Sequence, residues 1–219
     1  MLKQKTLDEK LDLQSYRFDG GKFVVTAITP VLVAKLQVQD DLQQAKNRYQ
    51  RRGKKIADPA YQAIDEPFYE WYRNATSTLD YAVTFEIKPD FGATAGSKWA
   101  LALASMGGAQ AAQNTHLNFE FKAEFQDFKL YRDGQLVEPV TPGRQITESA
   151  FTSAQADFVD EAYSGMYAYA PEVFLRGDEY KMEIYDAREP DKIHKTIVFR
   201  ADSKVIKQIR SDFANTEGK

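Results

Sequence analysis

Five aromatic residues crowd into twelve positions at Tyr61, Phe68, Tyr69, Trp71 and Tyr72. Tyr and Trp offer large, rigid contact area at low entropic cost, and they are enriched at interfaces and on flat surfaces that stack sugar rings. Helical packing uses one apolar stripe. Packed against the sheet the cluster reads first as core filling; Phe68 and Tyr72 share such a stripe and Tyr69 falls outside it, so an exposed patch for a protein or glycan partner, formed by some of the five, is the alternative.

Other chemistry-bearing residues are sparser. His116 and His194 are the two histidines, and neither has a second histidine at metal-ligand spacing. HExxH, GxSxG, a glycine-rich phosphate loop and any cysteine motif are all missing. On strand parity His194 points away from Ile193 and Ile197, which makes it a solvated or rim residue. Glu148, Asp157, Asp160 and Glu161 supply oxygen atoms of the kind Ca²⁺ uses, but without the EF-hand pattern they read as a solvated acidic loop. The basic run Arg48–Lys55 holds one aromatic, Tyr49, and suits the negative end of a helix macrodipole. No catalytic residue, metal site or cofactor is expected. Paired carboxylates for glycoside hydrolysis stay open as an alternative, since the deciding separation is spatial.

The elements that must position these residues are mostly strands. Leu117, Phe119, Phe121, Ala123 and Phe125 alternate with polar residues, the period of two of a half-buried strand. Beyond them Phe128 and Leu130 take up the apolar face in shifted phase, which predicts a β-bulge at Gln126-Asp127. Asp133-Gly134 is a two-residue hairpin turn, and it sets Leu130 opposite Val137 and Lys129 opposite Glu138. Phe23–Val33 reads as a strand buried on both faces, interrupted at Pro30. Tyr81–Ile87, Tyr163–Phe174, Tyr180–Tyr185 and Ile193–Phe199 supply further strands, the last two joined as a hairpin.

Two helical patterns flank or interrupt the strands. One begins at a capping Asp40, with Leu42, Ala45 and Tyr49 on one face, and continues after Asp58-Pro59 as an insertion over about 40–74. The other starts at Asp202 or Ser203 and carries Val205, Ile206, Ile209 and Phe213. Strands at this spacing without a βαβ rhythm predict a mainly β chain: an antiparallel immunoglobulin-like β-sandwich with a helical insertion and a C-terminal helix.

At 219 residues, the folded part is expected to be a single domain over 15–213, large enough to bury a substantial core. A net charge of −3 with a pI near 5.6 provides no field to attract nucleic acid. No stretch reaches the ~18 apolar residues of a membrane-spanning helix. Leu2–Gln14 is polar and charged, the composition of a flexible tether below a removed signal or a lipid-bearing residue, and equally of a frayed terminus. With no cysteine to place the chain further, the expected function is a non-catalytic bacterial envelope domain, periplasmic or lipoprotein, acting in binding or assembly. A cytoplasmic location and a glycan-active hydrolase are the rivals.

Overall fold

The computed structural model describes residues 11–37, 40, 82–94, 118–151 and 159–214, without the side chains of 151 and 159. In chain order the strands are β1 (Arg17–Asp19), β2 (Phe23–Ile28), β3 (Val83–Pro89), β4 (Phe91–Ala93), β5 (Phe119–Phe121), β6 (Phe125–Arg132), β7 (Gln135–Val137), β8 (Arg144–Phe151), β9 (Val159–Tyr169), β10 (Glu179–Asp186) and β11 (Ile193–Arg200). A 3-10 turn covers Leu13–Tyr16; helix α1 covers 30–37, α2 is Glu172–Leu175 and α3 is Lys204–Ala214. The fold is mainly β. Three antiparallel sheets form, in the orders β1-β2-β3-β9-β8, β11-β10-β6-β7 and β4-β5.

Alternation decides which side chains meet. Val25, Ala27, Phe85 and Ile87 from the five-stranded sheet share one core with Phe128, Leu130, Met182 and Ile184 from the four-stranded sheet. Rings bridge the two sheets, with Phe23–Phe125, Phe85–Phe128 and Phe18–Phe199 centroids at 6.4, 5.7 and 4.8 Å. A Cβ at Gly165 would lie 2.3 Å from the Phe125 ring, so this glycine lets β6 and β9 approach. Helix α3 closes the same core with Val205, Ile206, Ile209 and Phe213. Ser203 caps it, its Oγ accepting from the Ile206 N–H at 3.4 Å. At the start of β10, Tyr180 stacks on Phe174 and Phe199, and its hydroxyl donates to the carbonyls of Val173 and Phe174, each at 3.1 Å.

Several local expectations hold. Leu130 pairs with Val137 across Asp133-Gly134, whose φ values of 49° and 81° are those of a type I′ turn. Tyr185 and Asp186 pair with Asp127 and Phe125, which leaves Gln126 as the extra residue of a bulge, and Phe125 and Phe128 both reach the core. The β10–β11 hairpin forms as expected.

Three expectations are corrected. Phe23–Val33 is strand only to Ile28; Thr29 then caps α1 and Pro30 occupies its first position, so helix begins ten residues before Asp40. The Thr29 hydroxyl accepts from the Leu32 N–H at 3.1 Å, and this cap outweighs the β-branched composition. Leu117–Phe125 does not run as one strand either. Its alternation persists, but β5 pairs with β4 and β6 joins another sheet, with the Lys122 N–H turned to the Asp90 carbonyl between them. Finally, β9 stops at Tyr169, and Val173 and Phe174 belong to α2. The expected insertion over 40–74 lies outside the described residues except for residue 40, which is helical.

Candidate functional site

Tyr61, Phe68, Tyr69, Trp71 and Tyr72 lie outside the described residues, as do His116, Asp157 and Arg48–Lys55. The remaining acids of the expected loop are spread over two strands. Glu148 accepts from the Ser164 hydroxyl at 2.9 Å and faces Lys88 at 3.5 Å, while Asp160 accepts from the Phe121 N–H at 2.6 Å. Among the described residues no three His, Cys, Asp or Glu side chains gather as metal ligands.

The strongest array lies on the outer face of the four-stranded sheet. With Met182 and Ile184 turned inward, Lys181, Glu183 and Tyr185 must point out from β10, and Lys129 and Tyr131 do so from β6. The register aligns Leu136, Tyr131, Lys181 and Val198 across the sheet, and beside them Lys129, Glu183 and Thr196. Glu183 is only 7% exposed although it stands on the outer face. Its Oε2 accepts from the Tyr131 and Tyr185 hydroxyls, both at 3.1 Å, and its Oε1 accepts from Lys181 Nζ at 2.8 Å. Each ring carries an ammonium: Lys181 Nζ lies 4.0 Å from the Tyr131 centroid and Lys129 Nζ 5.0 Å from that of Tyr185.

Electrostatics defines what this array can do. Burial pushes the Glu183 carboxyl up, but the hydrogen bonds from Lys181, Tyr131 and Tyr185 overcome it and hold the group below its ordinary value. Such a carboxylate stays ionised and is poorly matched to proton transfer near neutral pH. It acts well as a fixed acceptor that holds two rings in place. Leu136 and Val198 at the ends of the row are 51% and 58% exposed, so the face mixes rings, charge and open apolar surface.

A second polar cluster sits where β2 begins and β10 ends. Two bulges meet there, at Gln126 on β6 and at His194 on β11. The His194 bulge turns its ring edge-on to Phe23, and its Nε2 accepts from the Lys22 N–H at 3.3 Å, the rim position expected of it. Asp186 is buried; its Oδ1 accepts from the Glu124 and Arg188 N–H groups, both at 3.0 Å, and Lys22 Nζ stands 3.9 Å from Oδ2. Arg188 Nη1 donates to the Phe121 carbonyl at 2.9 Å, and Lys122 pairs with Asp90. These charges tie chain reversals together. A cleft of about 370 Å³ at the other end, lined by Asp133, Arg176, Asp178 and Arg210, is used similarly. Arg210 donates to the carbonyls of Phe174 and Gly177, and Asp133 accepts from the N–H groups of Asp178 and Glu179.

No family model, curated protein or solved structure matches the chain. The outer-face array therefore stands on its own geometry. Sequence reading missed its members, although the parity that buries Tyr180, Met182 and Ile184 already sends Lys181, Glu183 and Tyr185 outward together.

Proposed function

We propose that the chain is a non-catalytic binding or assembly domain of the bacterial envelope, built on an immunoglobulin-like sandwich and recognising its partner through the outer face of the four-stranded sheet. The strand order supports the scaffold. Naming β2, β3, β6, β7, β8, β9, β10 and β11 as A, B, C, C′, D, E, F and G reproduces the pairings A-B-E-D and G-F-C-C′. Tyr180 adds a second parallel: a tyrosine at the start of strand F whose hydroxyl bonds backbone just upstream at the E–F corner. On such a scaffold function resides in a surface rather than in the fold.

The observation that carries the reading is Glu183, held between two tyrosines and a lysine on an open sheet face. A periplasmic or lipoprotein location draws on the tether-like composition of the N-terminal stretch; Asp12, at its end, already accepts from the Gln14 N–H and pairs with Lys204. No helix among the described residues is long and apolar enough to cross a membrane.

The test is fractionation of the tagged chain in its own host, followed by co-sedimentation of purified protein with isolated envelopes. Wild type should fractionate and sediment with envelopes, and the double variant Tyr131→Ala/Tyr185→Ala, at unchanged fold, should lose about tenfold in binding. Recovery in the cytoplasmic fraction would remove the envelope location. Release of reducing ends from envelope glycans would put the hydrolase in its place.

A further inference from the structure

Resting on that reading, we infer that the outer face of the four-stranded sheet binds an extended acidic glycan, with a sugar ring taking the Tyr185 face and Lys129 receiving a sugar carboxylate. The dimensions favour a chain over a globular partner. β6, β10 and β11, eight residues each across two strand spacings, give a strip of about 27 Å by 9 Å, to which the three residues of β7 add little.

The polar groups match the ligand class. A glycan chain presents apolar ring faces, hydroxyls that donate and accept, and, when acidic, carboxylates at intervals. The two tyrosine rings lie on either side of Glu183 with their hydroxyls fixed on its Oε2. Glu183, both oxygens already engaged, fixes the two rings, and Thr196, opposite it on β11, offers a hydroxyl that donates and accepts. Charge selects acidic over neutral chains. Lys181 is balanced by Glu183, whereas Lys129 has no carboxylate within ion-pair distance among the described residues and lies against the Tyr185 ring. Tyr185 and the more distant charge of Asp127 draw its ammonium, and an incoming anion at ion-pair distance can take it while a sugar ring takes the tyrosine face.

The probe is polygalacturonate, a uronic acid chain, in affinity electrophoresis, with hydroxyethylcellulose as the neutral chain and a single-stranded oligonucleotide followed by anisotropy. Wild type should be retarded by polygalacturonate in a salt-sensitive manner and hardly by the neutral chain. Lys129→Gln, a change outside the core, should weaken retardation about tenfold, and Tyr185→Phe, which keeps the ring, should weaken it less than Tyr185→Ala. Equal retardation in both polysaccharides, undiminished retardation of Lys129→Gln, or no retardation at all would overturn the inference. Tighter binding of the oligonucleotide would also overturn it. So would a concentration-dependent dimer abolished by Tyr185→Ala, which would place a second copy on the face. If polygalacturonate fails while Tyr131→Ala/Tyr185→Ala still releases the protein from envelopes, only the glycan class falls; if that variant still sediments, the proposed surface falls as well.

Discussion

Glu183 and Asp212 are both carboxylates held by tyrosine hydroxyls, and folding shifts them in opposite directions from their ordinary values. Asp212, 1% exposed, accepts from Tyr16, Thr29 and Gln208, yet burial outweighs these donors and the charge of Lys35 and pushes its carboxyl up. Glu183 is less deeply enclosed, and its donors win. The linkage signs follow. The Glu183 contribution is present above its ordinary value near 4.5 and is lost as pH falls through the lower folded value. The Asp212 contribution is full below its ordinary 3.8 and is lost as pH rises through the raised folded value. Asp212→Asn should cost about 2 kcal/mol at pH 7, because one amide oxygen cannot serve three donors. Urea titrations should show the deficit of Glu183→Gln shrinking from pH 7 to pH 3 and that of Asp212→Asn growing. Parallel trends in the two variants would contradict the opposite shifts.

Among the elements, those with local signals were legible and those fixed by distant partners were not. Asp133-Gly134 specifies its hairpin within two residues, and the shift from Phe125 to Phe128 marks a bulge by itself. The β-branched run after Phe23 also contained a local signal, Thr29-Pro30, the cap and first residue of a helix, but composition masked it. Thr29→Ala should lose about 1–2 kcal/mol, since the cap of α1 goes and Asp212 loses a donor; unfolding free energies measure it. Alternation through Leu117–Phe125 reported which face is apolar, and nothing in a period of two says which strand lies alongside. Gly165 shows the same limit, because its need for no side chain comes from Phe125 on another strand. Gly165→Ala should cost about 2 kcal/mol or more by forcing that ring aside, a loss that thermal melting would reveal as a lower midpoint. The outer-face array was hidden for a related reason. Its tyrosines and lysines look like ordinary solvent-side residues until register brings Tyr131, Glu183 and Tyr185 together.

For the molecule as a whole, the β class was readable from strand spacing, but sheet membership was not. β3 lies between β2 and β9, so the five-stranded sheet joins strands from both halves of the chain, whereas the four-stranded sheet is built wholly from residues 125–200. Long-range pairing of this kind slows folding, because loop closure must precede any gain from contact. The Asp212 carboxylate extends this dependence to synthesis. Thr29, which starts α1, donates to an acid 183 positions later, and Tyr16 meets the same acid. At ~5–20 residues per second the ribosome needs roughly 10–40 s to deliver that partner. Throughout that interval the earliest folded segments wait with a hydroxyl and a phenol unmatched. Chains stalled before Asp212 has emerged should therefore be cut by protease near α1, and completed chains should resist, so that the docking of α3 closes the end of the fold that was made first.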